Sequence, residues 1–455
     1  MRIKYIEGQA MRHFSILISI GLFHPAFTIA DIPEFNIDYS LDFEHTVMDG
    51  LSLGYNPDED HRIETISELG ISLEYIPSDQ WRLFFSGVLS KENISLENSG
   101  EHEDTSGVER KEMGVAYQFG NSIDAELKVG RNEFVSDSEW WVWWNELLDA
   151  ITLDTKYNDI EAMIAVAKEQ ARSFSGDDFI DPEQNAVQRI LLSLGWEFSE
   201  QHSLRCYVLE HTDRSSLYRI GESVDNEKID ESDADLTWLG LGYQGKYEIK
   251  GGGAFNFEVH AARVHGHEYL YVFSESGMDF SNVVGKTKHQ VKGSAQGLLV
   301  TYQPGFAHNL NLLGGIAQGS GDKNSNDQHD HRYRLTGLQG DSESFGKLFN
   351  PDLSNINIKL LGLEWHFHER ANLTLMHYQY HQRYAAEEMS VSSIEVNPSG
   401  SSQDLGTEID LLLNLEVSDE MEWNIILAGF QPGKAFPGYS QKAVSYISFE
   451  FSIEF

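Results

Sequence analysis

Strict alternation of apolar and polar residues runs through most of this chain and constrains its fold more than any other feature. The last ten residues, YISFEFSIEF, end at Phe455 and place apolar side chains opposite serine and glutamate. The same period of two occurs in NIDYSLDFEH (36–45), ISELGISLEY (66–75) and EIDLLLNLEV (408–417). Because side chains on a β-strand alternate between two faces, this pattern predicts an all-β protein.

The polar face of these strands carries many carboxylates, among them Asp42, Glu68, Glu74 and Glu416. A dry core could not hold so many unpaired charges, so this face must be wet. An apolar face opposite a wet one fits two architectures. In a soluble sandwich the apolar face packs on a second sheet. In an outer-membrane barrel it meets lipid, and the polar face lines a water-filled lumen.

Short and long connections between the strands alternate along the chain. Tight, turn-like links occur at residues 77–79, 120–122, 158–159, 200–201, 304–305, 369–370 and 418–420. Between them lie long polar links, at residues 46–65, 91–110, 132–147, 171–187, 213–235, 268–292, 320–356 and 384–404. This alternation is typical of outer-membrane barrels, so the sequence predicts one transmembrane antiparallel barrel of about 18 strands. We expect short periplasmic turns and long extracellular loops.

Aromatic residues cluster beside the short turns. They are Trp81, Phe119, Trp196, Phe198, Trp365, Phe367, Trp423, Phe451 and Phe455. Each alone could be a core residue of a sandwich, but nine at one rim favour the aromatic girdle of a membrane barrel. The last strand should pair with the first, because an open edge is costly in lipid. Phe455 fits the C-terminal aromatic that barrel-assembly machinery commonly reads.

The N-terminus has the pattern of a secretory signal peptide over residues 1–30. Met11-Arg12-His13 is a short basic head, residues 14–23 are apolar, and Thr28-Ile29-Ala30 is a small-residue cleavage motif. Residues 1–10 resemble an upstream extension before a start at Met11. The barrel domain should then span residues 31–455 in the outer membrane. Cys206 is the only cysteine, so the mature chain has no intrachain disulfide.

Charge and motif content exclude several functions. The formal net charge of −39 argues against nucleic acid as a partner. The sequence has no HExxH or Walker motif, and nothing in it singles out a serine–histidine pair or an acidic dyad, so we expect neither an enzyme nor a cofactor. His329-Asp330-His331 could be a metal site or solvated histidines, and we favour solvation. DKNSND (322–327) begins like a calcium loop but lacks the turn glycine, and we expect no metal.

One group of motifs is more specific. VGRNEFVSDSEWWVWWNELLDAITL (129–153) is followed in order by QGSGD (318–322), RYRLTGLQGD (332–341), YQYHQRY (378–384), SQDLGTEIDLLL (402–413) and AGFQPGKAFPG (428–438). Together they resemble the alginate export family of outer-membrane porins. The resemblance implies an 18-stranded barrel that lets an anionic uronate polysaccharide leave the periplasm by diffusion. It also implies a constriction lined by arginines, lysines and some carboxylates.

Several residues take candidate pore-lining or substrate-binding roles from this resemblance. They are Arg131, Asp137, Glu139, Trp140, Trp141, Arg332, Arg334, Arg383, Glu408 and Asp410. Simple alternation with Val129 would point Arg131 to lipid, unless a bulge at Gly130 turns it inward. Glu408 and Asp410 share the inward parity of their strand. Asp137 to Trp141 lie where a loop could fold into the mouth.

The chain also departs from the family pattern. Ser138 stands near a place where members tend to carry a basic residue, and only residues 417–423 join two strands between which well-known members have a long plugging turn. Inward carboxylates outnumber inward bases, of which Lys128 and Arg189 are the clearest, and would by themselves favour cations. A polyanion would pass if Arg131, Arg332, Arg334 and Arg383 converge on the constriction.

The remaining expectations concern alternatives and partners. A general or cation-preferring porin is one alternative, and a surface polysaccharide-binding β protein without a pore is another. The expected partners are an anionic polysaccharide, outer-membrane lipid and lipopolysaccharide, and the barrel-assembly machinery through Phe455. We expect a monomer.

Overall fold

A computed structural model describes residues 33–455 with gaps at 55–60, 97–100, 121–122, 137, 139, 169–185, 217, 227–228, 230–231, 251, 276–279, 308, 325–326, 341, 390–391, 395 and 439. The predicted signal peptide therefore lies outside the described residues. In the described part of the chain, no helix has the length and apolar character that a membrane span needs.

Eighteen long antiparallel strands form one closed sheet. The first half of the barrel comprises β1 (Glu34–Asp49), β2 (His61–Ser78), β3 (Trp81–Leu96), β4 (Glu101–Phe119), β5 (Asp124–Val135), β6 (Asn145–Tyr157), β7 (Ile160–Lys168), β8 (Gln188–Ser199) and β9 (His202–Thr212). Two short strands, β10 (Ser223–Asp225) and β15 (His329–Asp330), lie in the external loops and pair with β13. The other barrel strands are β11 (Ser232–Ile249), β12 (Gly253–Glu275), β13 (Phe280–Pro304), β14 (Leu310–Gly319), β16 (Ile356–His368), β17 (Ala371–Gln382), β18 (Asp404–Ser418), β19 (Met421–Pro432) and β20 (Val444–Glu454).

The barrel closes between its first and last strands, as the alternation at the C-terminus predicts. β1 pairs with β20 from Ser40↔Glu454 to Asp49↔Ser445. The backbone of Phe455 continues this ladder, because its N–H donates to the Tyr39 carbonyl at 2.9 Å and its carbonyl accepts from Tyr39 N at 2.8 Å. No edge of the sheet is left open to lipid at this seam. The predicted 18-stranded barrel is confirmed.

The predicted short turns are present where the structure describes them, but two of the predicted long loops are wrong. Residues 91–110 and 268–292 belong mostly to strands, because β3 and β4 are joined across residues 97–100, and β12 and β13 across 276–279. β13 alone has 25 residues, whereas about 9–11 residues cross a membrane. Outside the membrane both faces of a strand meet water, so these extensions are polar and resemble loops in sequence.

The outer surface of the barrel is apolar. Outward-facing side chains such as Leu127, Ile164, Leu361 and Ile447 are exposed although they are large and apolar. Near the short turns eight of the nine aromatic side chains predicted for the girdle, such as Trp81, Trp196 and Trp365, are likewise exposed, and Phe451 is half-buried. This arrangement matches a band that meets lipid and ends in an interfacial aromatic ring.

The lumen contains an apolar core that the sequence does not predict. Large side chains that are almost completely buried include Trp143, Leu338, Phe349 and Phe430. They belong to one cluster that joins inward wall residues to two segments folded into the barrel. We call residues 136–144 the tryptophan segment and residues 332–350 the crossing segment. These two segments shape the candidate site.

Candidate functional site

The tryptophan segment lies against the inner wall of β11–β13. Trp141 stacks on His260 of β12, with ring centroids 5.4 Å apart and planes 3° from parallel. Gly240 on β11 faces the Trp143 ring, which a Cβ atom at that position would overlap. Ser138 accepts from Trp141 N at 3.0 Å and donates to Glu258 Oε2 at 2.8 Å. Trp140 and Trp141 therefore lie inside the barrel, whereas Asp137 and Glu139 lie outside the described residues.

One end of the crossing segment is held by the tryptophan segment and the wall beside it. Thr336 donates its hydroxyl to the Trp143 carbonyl at 2.6 Å. The Thr336 carbonyl accepts from Arg189 Nη1 on β8 at 3.1 Å. Trp238 on β11 donates its indole N–H to the Arg334 carbonyl at 2.8 Å. Arg189, predicted as a base facing the lumen, thus positions a loop.

The other end of the crossing segment is held by β17 and β18. The Glu408 carboxylate accepts from Leu348 N at 2.7 Å and from Phe349 N at 2.9 Å. The single hydroxyl hydrogen of Tyr380 is shared between the Phe345 carbonyl at 2.7 Å and Glu408 at 3.0 Å. Asp410 accepts from Lys347 N at 3.1 Å. Both carboxylates are buried, so they receive the loop backbone and do not line open space.

The two ends of the crossing segment lie almost opposite each other. When the two short strands are set aside, β8 and β18 are the eighth and sixteenth of eighteen barrel strands. A segment that contacts both must pass across the lumen. Its apolar side chains pack on the wall at the far end, where Phe349 stacks on Phe430 of β19 with centroids 4.7 Å apart. The crossing segment therefore divides the external half of the lumen.

Two of the predicted arginines share a carboxylate outside the membrane. Arg334 makes a bidentate pair with Glu268 at 2.6 and 2.8 Å and also donates to Asp330 at 2.7 Å. Arg332 donates to both oxygens of Asp330 at 3.1 and 3.2 Å. Burial by itself would raise the pKa of Asp330, but hydrogen bonds from Arg332 and Arg334 outweigh it and lower that pKa. This network stays ionised and fixes the start of the crossing segment.

The other two predicted arginines lie elsewhere. Arg131 is 1% exposed, and its Nη1 is 3.9 Å from Asp149 Oδ2 on the neighbouring strand. Gly130, just before it, has a φ of +144°, a conformation that side chains rarely adopt. Arg131 therefore lies within the wall and does not extend into lipid. Arg383 is exposed at the end of β17, where its backbone N–H donates to the Asn355 carbonyl at 2.8 Å.

A row of alternating charges lines the lumen near the periplasmic turns. Arg82 lies 3.4 Å from Glu74 and 3.1 Å from Glu126, and Lys128 lies 3.3 Å from Glu126 and 3.1 Å from Asp154. We call these five residues the charge ladder. Lys128 was predicted from its inward parity, whereas Arg82 was not, although its place between exposed Trp81 and Leu83 also indicates that it faces inward. Arg205 on β9, paired with Glu161 at 3.3 Å, was missed in the same way.

A cavity of about 430 Å³ lies between the two inward segments. Trp141, Tyr333 and Phe345 give it aromatic walls, and Asp352 lies in its lining. Burial raises the pKa of Asp352 to about 6. Among the described residues, no three His, Cys, Asp or Glu side chains are grouped so that they could hold a metal ion.

Comparisons with known proteins agree with this architecture. The fold is that of porin-like outer-membrane barrels. It is similar to crystal structures of OccK5 (OpdH) from Pseudomonas aeruginosa, with a TM-score of 0.56, 11% identity, and coverage of 92% of this chain and 98% of that one. It is also similar to OccAB1 from Acinetobacter baumannii, with a TM-score of 0.55, 10% identity, and coverage of 92% and 96%.

The chain belongs to the alginate export family, whose model matches residues 33–448. It is 23% identical over 434 residues to the alginate production protein AlgE of Pseudomonas aeruginosa, which covers 89% of this chain and 86% of that protein. The family and the barrel fold place the chain in the outer membrane, and both are those of transport channels.

Proposed function

We propose that this protein is a passive channel through which an anionic, alginate-like uronate polysaccharide leaves the periplasm. The proposal rests mainly on the charge ladder. Its two cations are accessible, with 36% of the Arg82 side chain and 27% of the Lys128 side chain exposed. They lie beside the periplasmic turns, where a polymer leaving the periplasm would arrive first.

Alternation of charge in the ladder suits transport better than tight binding. A conducting site must attract the solute enough to admit it and weakly enough to release it. Each ladder cation already contacts carboxylates, which reduces its net attraction for a polyanion. As a uronate chain moves, its carboxylates would replace protein carboxylates beside one ladder cation and then beside the next. Transport of this kind needs no chemical step. Beyond the ladder, we propose that Arg332 and Arg334, with their partners Asp330 and Glu268, form a second station of alternating charge at the external mouth.

Planar-bilayer recording in a salt gradient tests this proposal. In the double variant Arg82→Ala/Lys128→Ala, the reversal potential should shift towards cation preference, and block by oligouronates added from the periplasmic side should weaken. The matched control is Lys250→Ala/Arg370→Ala, which removes two positive charges from periplasmic turns and leaves the ladder intact. This control should select and block like the parent.

Three outcomes would contradict the proposal. Unchanged selectivity and block in the ladder variant would show that the ladder does not act on the polymer. Cation preference in the parent without oligouronate block would favour the cation-preferring porin, which the excess of inward carboxylates also supports. Persistent silence of correctly folded protein would favour a polysaccharide-binding protein without a pore.

A further inference from the structure

The outer surface of the barrel carries basic residues where its apolar band ends on β12, β13 and β16. Exposed Val259, Leu298 and Leu361 mark the band on these strands. Moving outwards from the periplasm along the same face, the first charged side chains are Arg263, Lys292 and Lys359, and all three are exposed. A basic sector is unexpected on a chain with a net charge of −39.

These three basic side chains are not neutralised by the protein. Within the residues that the structure describes, none of them lies within 4.0 Å of a carboxylate oxygen, although many other lysines and arginines do. An exposed cation at the edge of a membrane band attracts anionic lipid headgroups. The polar groups that follow the band on β17, His377 and Gln379, are not acidic either.

A groove of about 440 Å³ lies on the same outer face, next to Lys359. Gly314 on β14 shares the outward parity of exposed Leu312 and Ile316, and it leaves a gap in the band because it carries no side chain. Leu298, Ile316 and Leu361 line the groove, and Lys359 and His377 complete it. A Cβ atom on Gly314 would lie 3.7 Å from the Leu361 side chain, so a larger side chain there would occupy the groove.

An apolar groove with a cation at its external end fits one acyl chain below a phosphate group. From this juxtaposition we infer that the face formed by β12–β17 binds lipopolysaccharide, with an acyl chain in the groove and a lipid A phosphate at Lys359. The position at the external end of the band selects the outer leaflet, where lipopolysaccharide is the phosphate-bearing lipid. Arg263 and Lys292 on neighbouring strands are placed to meet further phosphates. The inference is independent of the transported solute, because this face lies outside the lumen.

Native mass spectrometry of the full-length protein in detergent tests the assignment, with bis-phosphorylated lipid A as the probe. Lys359→Glu should lower the affinity for lipid A at least tenfold, since it places an anion beside the phosphate. Gly314→Leu should lower it similarly while keeping every charge. The matched control Lys250→Glu makes the same charge reversal at a periplasmic turn and should bind like the parent. Heat-modifiable migration on gels verifies that each variant folds.

The probe lipids separate the phosphate from the acyl chain and lipid A from phospholipid. Lipid A without its phosphates should bind the parent more weakly, and Lys359→Glu should then make little further difference. Unchanged lipid A binding in folded Lys359→Glu and Gly314→Leu would overturn the inference. Phosphatidylglycerol binding to the parent as tightly as lipid A would overturn the assignment to lipopolysaccharide.

Discussion

Replacing Glu408 by alanine should release the far end of the crossing segment. The variant removes the acceptor of the Leu348 and Phe349 amides, at 2.7 and 2.9 Å, and leaves both without that partner. Tyr380 would keep its bond to the Phe345 carbonyl, so its hydroxyl adds little to the loss. A buried amide left without its acceptor costs about 1–3 kcal/mol, so the two amides together predict a loss of roughly 4 kcal/mol in the free energy of docking.

A loss of about 4 kcal/mol corresponds to roughly a thousandfold change in the equilibrium between docked and released segment. Hydrogen–deuterium exchange of the Leu348 and Phe349 amides measures this equilibrium directly. Their exchange should accelerate by two to three orders of magnitude. The exchange rates of amides in β18 itself should change little, because the hydrogen bonds between neighbouring strands of the barrel are untouched.

Asp419→Asn is the control for this experiment. Asp419 is an exposed carboxylate on a periplasmic turn, where it pairs with Arg370. Its removal should leave exchange of the crossing segment unchanged. If the Leu348 and Phe349 amides in Glu408→Ala exchange as slowly as in the parent, then apolar packing around Phe349 holds the segment alone. Glu408 would then contribute nothing to docking of the crossing segment.

Three further predictions concern the same inward segments. Gly240→Val should displace Trp143, since a Cβ atom at position 240 overlaps the Trp143 ring. Acrylamide quenching of tryptophan fluorescence should then be stronger than in the parent, and equal quenching would contradict the prediction. Because the folded pKa of Asp352 (about 6) lies above its ordinary value, its contribution to stability is full below about pH 4 and is lost as pH rises through 6. Asp352→Asn should therefore increase the hydrogen-exchange protection of neighbouring amides by up to about 3 kcal/mol at pH 8 and have little effect near pH 4. Equal gains in protection at both pH values would contradict a raised pKa for Asp352. Arg334→Ala should leave Glu268 without the guanidinium it pairs with and Asp330 with Arg332, at a cost of about 1–3 kcal/mol, so proteolysis of the external loops should accelerate. Lys442→Ala is the control, and equal proteolysis rates in Arg334→Ala and the parent would count against the network.

The barrel could be predicted from sequence because its signals are local. Alternation along each strand, a turn at each periplasmic end and a terminal aromatic can all be read without knowing which strands are neighbours. Closure follows from the need to leave no edge in lipid. The external limits of β3, β4, β12 and β13 could not be predicted this way. Outside the membrane these strands are polar on both faces, so their sequences lack the apolar alternation that marks a strand and resemble loops.

The inward segments depend on contacts between residues far apart in sequence. Parity showed that Glu408 and Asp410 face inward, but nothing local indicated that loop amides 60 residues earlier would bind them. Arg131 could not be placed from alternation, because its environment depends on Gly130 and on Asp149 of the next strand. Of the four arginines expected to converge, Arg332 and Arg334 meet at Asp330, whereas Arg131 lies beside Asp149 in the wall and Arg383 at the end of β17.

The crossing segment also has a mechanical consequence. A closed sheet of eighteen strands encloses a wide ring, and lateral pressure from the bilayer can flatten such a ring into an ellipse. The crossing segment joins nearly opposite walls through Arg189 at one end and Glu408 at the other, so it acts as a diametral brace. Flattening along that diameter would compress the brace, and widening would stretch it. We therefore expect the roundness of this barrel to be set from inside, and to respond to bilayer thickness less than that of an empty barrel of the same strand number.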